Sequence, residues 1–242
     1  LSLLYLDMVE ISDLLSNGET IPVEGEYNKK LKEKLESLSD ILTDERKDGR
    51  EYKTLTFKGM MYHGTDVDGI EKLNVSAYDN SMGLGVYLAR DKEVAEKFAA
   101  DRYARGKLAN RRYSGEPIVY ELRTKRELNL LDLTEDESIN DVMMDFRMYL
   151  DYRRVRKDNA QKSMADRAMW SKSVLDDKGR FVFSAFPEYF TRFLYDKGYD
   201  GIIHGGKDSK FSPFDDGVGT YTQIVVFNPN DVEIVGKYRV KL

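Results

Sequence analysis

The spacing of apolar residues changes near residue 53, and this change divides the chain into two parts. Before it, apolar side chains recur at the three- and four-residue intervals of one helix face. Ile21-Pro22 and Gly25 interrupt the pattern and separate a first helix from a second that starts near Tyr27. The apolar face of the second helix comprises Leu31, Leu35, Leu38, Ile41 and Leu42. We therefore expect residues 1–50 to form a helical N-terminal segment that packs on the rest of the protein, with partner binding as the alternative.

From residue 53 onward the pattern is typical of a β-rich domain. Alternating apolar residues predict a single strand over 53–63, with a short helix and a loop after it. Asp91 is a suitable N-cap for a helix that ends near Gly106. Further strands are predicted within 83–89, 117–123, 127–133, 199–204, 221–227 and 232–240. This mixture of helices and strands predicts a fold of the α+β class.

Residues 134–190 differ from their surroundings and are interpreted as a largely helical insertion. Thr134 opens a capping box for one helix, and Pro187 begins a second, aromatic-rich helix. Arg and Lys are concentrated at 102–112 and again at 147–172. We expect both basic stretches to be solvated faces. The alternatives are contact with a pyrophosphate for the first and docking of a target for the second.

Composition narrows the class of protein. The chain has 242 residues, 41% hydrophobic and 12% aromatic, which is enough for one well-filled core. A net charge of -5 argues against binding to nucleic acid or membrane through a broad electrostatic surface. The absence of cysteine excludes disulfides, thiolate metal sites and cysteine nucleophiles. Asp7, Glu10 and Asp13 interrupt the apolar start of the chain, so we expect neither a signal peptide nor a membrane span, and a cytoplasmic location.

Two glycine-containing stretches carry the candidate chemistry. In Met60–Thr65, an apolar strand ends at His63, and Gly64 then allows a flat ligand to approach the backbone. In Gly83–Ala89, a glycine-rich turn leads into a strand that carries Tyr87. A histidine and an aromatic ring that face a slot lined by glycine backbone suit an aromatic heterocycle.

The other histidine, His204, is expected to be structural. Asp and Glu partners at metal-ligand spacing are missing around both histidines, so no metal site is predicted.

Three stretches, in this order, resemble the ADP-ribosyltransferases, and most closely the diphtheria-toxin and poly(ADP-ribose) polymerase group with its His-Tyr-Glu signature. They are Tyr62–Thr65, Gly85–Ala89 leading into Ala95 and Phe98, and Thr222–Phe227. The turn at 198–201, followed by an isoleucine strand, is also similar to one in these domains. The resemblance implies a split β-sandwich with NAD in its cleft, formed by residues 51–242.

The resemblance also implies a role for each site residue. His63 would bond a hydroxyl of the adenosine ribose, and Gly64 would hold the nicotinamide carboxamide through its N–H and C=O. Tyr87 and Phe98 would sandwich the nicotinamide ring, whose positive charge suits aromatic faces. The family often has a serine at the position of Ala95, so the alanine predicts weaker anchoring of the carboxamide. The implied NAD-binding residues are His63, Gly64, Thr65, Tyr87, Ala95 and Phe98.

The chain departs from the signature at Gln223, where the family has its catalytic glutamate. His63, Tyr87 and Gln223 are thus the implied catalytic residues. Glutamine keeps the size and an acceptor oxygen but loses the charge that stabilises the oxocarbenium-like transition state, at a typical cost of about 100-fold to 1000-fold in rate. Three explanations stay open: a Glu-to-Gln variant made to trap a complex or suppress toxicity, a natural enzyme limited to one ADP-ribose, or a binding-only descendant. Asp215 or Asp216 is a candidate substitute carboxylate.

The implied activity is that of a mono-ADP-ribosyltransferase. It would cleave the nicotinamide–ribose bond of NAD and pass one ADP-ribose to a protein or nucleic-acid acceptor over the glycine-rich loop at 205–222. Compact transferases of this branch resemble bacterial or phage effectors and toxins, which is the implied context. One alternative is a non-catalytic module that binds NAD, ADP-ribose or, through residues 1–50, a protein partner. Another is an NAD glycohydrolase, in which water accepts the ADP-ribose.

Overall fold

The computed structural model describes residues 24–43, 52–75, 82–109, 113–152, 186–205 and 222–242. The helices described are α1 (Glu24–Thr43), α2 (Lys92–Ala109), α3 (Asp136–Tyr152) and α4 (Pro187–Asp196), with a 3-10 turn at Pro229–Asp231. The strands are β1 (Thr54–Phe57), β2 (Met60–Thr65), β3 (Val86–Ala89), β4 (Ile118–Thr124), β5 (Leu128–Leu133), β6 (Gly201–Gly205), β7 (Thr222–Val226) and β8 (Val232–Arg239). The α+β class is confirmed.

All eight strands belong to one open sheet in the order β1-β5-β6-β7-β3-β2-β4-β8. Neighbouring strands are antiparallel except for β5 and β6, which are parallel. The chain between β5 and β6 contains α3 and α4, as a parallel crossover requires.

Two short connections force this sheet to curl. Only Lys58 and Gly59 join β1 to β2, although four strands lie between them in the sheet. In a flat sheet, interstrand steps of about 4.8 Å would separate these strands by roughly 24 Å, whereas the connection spans at most about 11 Å. Residues 125–127, which join β4 to β5, impose the same limit. The two ends of the sheet therefore fold toward each other.

The inner face of the curled sheet encloses one hydrophobic core. Its buried side chains come from strands of both halves and include Met61 of β2, Tyr120 of β4, Leu130 of β5, Ile203 of β6 and Ile224 of β7. Because strands that are far apart in the sheet order share this core, its two halves face each other as the layers of a sandwich do.

The outer face of the sheet is covered by helices. Phe146 of α3 and Phe190 of α4 pack edge to face, with ring centroids 5.0 Å apart, in a core that includes Ile202 and Val225. α2 covers the other half of this face, where its Ala95 and Ala99 pack on the strands β3 and β4.

α1 contributes its apolar face to the core, as its sequence pattern predicts. Leu38 and Ile41 are buried, and Leu38 packs with Val75 and Leu84. The hydroxyl of Tyr195 on α4 donates to the carbonyl oxygen of Leu42 at 3.0 Å. The leucine-rich face of this helix is therefore engaged within the protein. The first helix predicted in residues 1–50 lies outside the described residues.

The single strand predicted over 53–63 is wrong, because the chain forms β1 and β2 there. Gly59 breaks the run: its N–H donates to the Thr124 hydroxyl and its carbonyl accepts from the Thr124 N–H, both at 3.1 Å. These two bonds fix the chain at the crossing from one half of the sheet to the other. The helix predicted after this strand is also wrong within residues 66–75, which are irregular.

Three helix boundaries differ from their predictions. Gly25 lies inside α1 rather than before it, because the packed face further along outweighs the modest cost of one glycine. α2 continues past Gly106 to Ala109, and the ring of Tyr113 occupies the space that a side chain at Gly106 would need. α3 begins at Asp136, two residues after Thr134, whose hydroxyl donates to Asp132 at 2.6 Å. Of the predicted insertion, residues 153–185 lie outside the described residues.

One ion-pair cluster fastens three connections of the sheet. Arg126, in the link between β4 and β5, donates to both carboxylate oxygens of Asp200, at 3.0 and 2.9 Å, and to Asp231. Asp200 also accepts from the backbone N–H of Asn129 at 2.8 Å, and its side chain is fully buried. The cluster thus ties one crossing link to the turn before β6 and to the 3-10 turn before β8.

We predict that Asp200→Ala lowers the free energy of unfolding by about 2–3 kcal/mol, which urea denaturation will measure. Loss of one partner of a buried pair typically costs about 3–5 kcal/mol, and the cost is smaller here because Arg126 stays partly in water. Asp68→Ala is the matched control, since the Asp68–Lys237 pair is exposed and should matter little. Equal effects of the two substitutions would contradict the fastening role.

Candidate active site

The three sequence stretches of the candidate site lie on three neighbouring strands, β2, β3 and β7. Across them, Tyr62 is opposite Ala89, and Ala89 is opposite Gln223. Gln223 is in turn opposite His204 of β6. Side chains of directly opposed residues emerge on the same face of a sheet, so these four form one row on the outer, helix-covered face.

β2 and β3 diverge immediately beyond this row. β2 pairs with β4 at six positions but with β3 at Tyr62–Ala89 alone. The strands that carry His63 and Tyr87 are therefore adjacent at one end and separate at the other. A polar link spans the divergence, because His63 Nδ1 lies 3.3 Å from the carbonyl oxygen of Tyr87.

Strand alternation places the side chains of His63 and Tyr87 on opposite faces of the sheet. His63 follows Tyr62 and so emerges on the inner face with Met61, whereas Tyr87 emerges with Ala89 on the outer face. Tyr87 and Gln223 share the outer face, since Tyr87 is opposite Val225, two residues from Gln223. His63 and Tyr87 therefore both border the gap between their strands, but their side chains do not line the same side of a binding slot.

The geometry determines the protonation of His63. A carbonyl oxygen only accepts, so Nδ1 carries the ring proton and Nε2 presents a lone pair. Burial, together with the nearby positive charge of Arg102, lowers the pKa of His63 to about 4, although the Tyr87 carbonyl opposes this shift. The imidazole is therefore neutral at pH 7, with Nε2 able to accept a hydrogen bond from a hydroxyl.

Tyr87 anchors the glycine-rich turn that precedes it. Its hydroxyl donates to the carbonyl oxygen of Gly83 at 2.8 Å and accepts from the N–H of Met82 at 2.9 Å. Gly83 has a φ of 92°, a left-handed conformation that favours glycine. The half-buried ring packs against the core under α3 and α4, so Tyr87 holds the turn in place.

Close packing explains the glycines of both stretches. A Cβ at Gly64 would lie 1.9 Å from the carbonyl oxygen of Ala95, and one at Gly85 would lie 2.7 Å from that of Val226. Gly64 therefore allows the backbone of α2 to approach β2, and the space expected for a flat ligand beside its Cα is filled by the helix on that side.

The remaining predicted NAD-binding residues frame this contact. Ala95 is fully buried against β2, and Phe98 lies three residues further along α2, half-buried. The buried Thr65 ends β2, and its hydroxyl accepts from the N–H of Val67 at 3.3 Å. The helix that carries Ala95 and Phe98 thus lies directly over the strand that carries His63 and Gly64.

His204 is a residue whose part in this site the sequence does not reveal. Its Nε2 lies 2.9 Å from Gln223 Oε1, and the residue is only 1% exposed. Burial lowers the pKa of His204 to about 4, against the opposing effect of the bond to Gln223. The position of His204 within its own strand carries no signal for this contact, because only the pairing of β6 with β7 creates it.

The two arginines in the described part of the first basic stretch form ion pairs. Arg102 Nε is 3.4 Å from the buried carboxylate of Asp66, which also accepts from the Tyr113 hydroxyl, and Arg105 pairs with Asp101 at 2.9 Å. The suggested contact with a pyrophosphate stays a prediction. The second basic stretch beyond Tyr152, and both Asp215 and Asp216, lie outside the described residues.

Comparison of the chain with known protein families, with curated proteins and with solved structures finds no match. Within the described ranges, no helix has the length and apolar character needed to cross a bilayer. Over the same ranges, no three His, Asp or Glu side chains gather as a candidate metal site.

We predict that Gly64→Ala lowers the free energy of unfolding by about 1–3 kcal/mol, as overpacking typically does. The added methyl group would meet helix backbone, which cannot rotate away. Gly59→Ala is the matched control, because its Cβ would meet only the Phe57 ring, at 3.5 Å. Chemical denaturation measures both. A Gly64→Ala protein as stable as Gly59→Ala would refute the packing role.

The two histidines predict a loss of stability in mild acid. Their folded-state pKa values lie near 4, below the ordinary 6.5, so the unfolded chain binds these protons first as the pH falls. The free energy of unfolding should decrease by up to about 1.4 kcal/mol per pH unit for each histidine over that range.

Denaturation of the wild type and of His63→Asn, which keeps a donor toward Tyr87, will isolate the His63 contribution. The variant should show the weaker pH dependence. Histidine ring protons that titrate near pH 6.5 in the folded protein would contradict this prediction.

Proposed function

We propose that this chain is an NAD-dependent mono-ADP-ribosyltransferase with a split β-sandwich fold, of the His-Tyr-Glu branch with Gln223 at the glutamate position. One observation carries the proposal. Three stretches that are far apart in the sequence lie on the adjacent strands β2, β3 and β7, with Tyr87 and Gln223 on one face. The curled sheet and the divergence of β2 from β3 support a cleft between two layers.

In this proposal NAD lies across the gap between β2 and β3. The nicotinamide ring takes the outer face, between Tyr87 and Phe98. Its carboxamide reaches the N–H and C=O of Gly64 from the gap, because α2 fills the space beside the Gly64 Cα. The adenosine ribose lies toward His63, whose Nε2 lone pair accepts a hydrogen bond from a ribose hydroxyl. The opposite faces of His63 and Tyr87 fit an extended ligand that passes through the gap.

The reaction would begin when the bond between C1′ of the ribose and the nicotinamide nitrogen breaks. Nicotinamide leaves with the bonding electron pair, which neutralises its pyridinium charge, and positive charge develops on the ribose. A nucleophile of the acceptor then attacks C1′ and loses its proton. Gln223 can hydrogen-bond the ribose, but it lacks the charge that stabilises the developing cation, so we expect slow turnover.

The acceptor would be a protein or a nucleic acid, and the setting a cytoplasm in which a bacterial or phage effector acts. Mass spectrometry of a lysate exposed to labelled NAD will identify the acceptor.

A second candidate is a non-catalytic module that binds NAD or ADP-ribose. The specific observation in its favour is the bond from His204 to Oε1, the one acceptor atom of the Gln223 side chain. Such a module would bind nicotinamide and NAD without breaking the glycosidic bond. An NAD glycohydrolase would instead release both nicotinamide and free ADP-ribose.

We predict that millimolar NAD raises the melting temperature, since a ligand at about 100 times its dissociation constant adds about 2.7 kcal/mol of stability. His63→Ala and Tyr87→Ala should abolish this shift. Tyr87→Phe removes only the hydroxyl and should retain part of it. The absence of any shift with the wild type would argue strongly against the site.

Nicotinamide release then separates the candidates. We predict that Gln223→Glu releases nicotinamide about 100-fold to 1000-fold faster than the wild type, because a carboxylate stabilises the developing cation. Gln161→Glu, the same change at the other glutamine of the chain, is the matched control and should have no effect. Binding without release in the wild type and in Gln223→Glu would favour the non-catalytic module. Release of nicotinamide with all of the ADP-ribose free, and none attached to an acceptor, would indicate hydrolysis.

A further inference from the structure

We propose that His204 is a positioning residue for the side chain at 223, a role in catalysis that rests on the proposed function. His204 would hold one terminal oxygen of that side chain, amide or carboxylate, so that the other terminal group is directed to the substrate ribose. The pairing itself can be tested without any NAD chemistry.

The backbone brings the two side chains together. His204 and Gln223 are directly opposed on the antiparallel strands β6 and β7, and both belong to the row that includes Ala89. The distance from His204 Nε2 to Gln223 Oε1 is 2.9 Å, that of a well-formed hydrogen bond. The partner on the other side of Gln223 is an alanine methyl group, which offers no hydrogen bond.

The chemistry of the pair fixes which atom carries the proton. An amide oxygen only accepts, so His204 Nε2 must be the donor. With its oxygen engaged, the Gln223 amide turns its NH₂ group away from β6. Within the described part of the chain, this NH₂ group has no hydrogen-bond acceptor, and the Gln223 side chain is only partly buried.

The apolar surroundings of His204 make burial of its polar ring unfavourable if the ring serves only to pack the strand. The other residues of β6 are glycine or isoleucine and all are buried, and the parallel neighbour in register is Leu133. A polar ring in such a strand needs hydrogen bonds to offset its burial. An apolar residue would pack here at no such cost, whereas a ring N–H adds a directed bond to the side chain at 223.

A carboxylate at 223 fits the same arrangement. One oxygen would accept from His204 Nε2–H, and the second would accept from a ribose hydroxyl. The donor is therefore suited to glutamate as well as to glutamine, and the wild-type pair retains the geometry with only the charge removed. This gives a reason why Gln223→Glu should act without rearrangement of the strands.

The first test is nuclear magnetic resonance of the imidazole nitrogens, which needs no substrate. The chain has only two histidines, so both rings can be assigned. His204 should show the Nε2–H tautomer with a slowly exchanging proton, and Gln223→Leu should remove that protection while His63 keeps its Nδ1–H tautomer. A His204 signal that is unchanged in Gln223→Leu would overturn the pairing.

The second test uses nicotinamide release in the Gln223→Glu protein. His204→Leu should reduce kcat by about 10-fold to 100-fold, the effect expected when a hydrogen bond to a charged group is lost. KM for NAD should change little, because Tyr87, Phe98 and Gly64 are untouched. His204→Gln, which places an N–H donor at a similar reach, should restore most of kcat, a rescue that a merely structural role does not predict.

The outcomes separate the two proposals. If Gln223→Glu does not release nicotinamide, the transferase proposal is refuted. The pairing of His204 with Gln223 is then still tested by the His204 tautomer. Release that is equally fast with His204, His204→Leu and His204→Gln would refute the positioning role while leaving the transferase intact. If His204→Leu does not fold, two other measurements decide whether His204 has the positioning role. They are kcat of His204→Gln relative to the protein with His204, and the imidazole spectrum of Gln223→Leu.

Discussion

The structure depends on two connections that are too short for a flat sheet. Lys58-Gly59 and residues 125–127 each cross between strands that are five positions apart, and their length forces the sheet to curl. The curl creates an inner core shared by both halves and an outer face that helices must cover. Gly59, Thr124 and Arg126 hold these crossings with hydrogen bonds and an ion-pair cluster.

The same curl accounts for the form of the candidate site. A sheet bent this strongly cannot keep every pair of strands in full register, and the pairing is weakest between β2 and β3, which share one position. That weak seam lies between the two strands that carry the candidate residues. Backbone groups along a diverging pair have fewer strand partners, which is the condition under which a ligand can bind to main-chain atoms.

Burial rather than charge sets the electrostatics around this seam. Both histidines have a pKa lowered to about 4, mainly because the folded protein removes them from water. Each is neutral, and each has its tautomer fixed by an acceptor: the Tyr87 carbonyl for His63 and the Gln223 amide for His204. The candidate site thus offers directed neutral donors and acceptors, and the Gln223 side chain adds no charge to it.

Local pattern was sufficient for most of the elements and for the order of the motifs. Alternation and helical spacing predicted most strands and the apolar face of α1, because side-chain periodicity depends only on the backbone geometry of each element. The same pattern missed the break between β1 and β2 at Gly59. Two hydrogen bonds between Gly59 and Thr124, 65 residues away, determine where this break lies.

What the sequence by itself determined is a set of candidate residues, His63, Tyr87 and Gln223, which it indicates only through three stretches taken together in their order. Only the tertiary structure decided how they are placed, with His63 on the inner face, Tyr87 on the outer face and His204 against Gln223. The reason is physical. Residue type and period are properties of one segment, whereas the facing of side chains across a sheet depends on register between strands that are far apart in the chain.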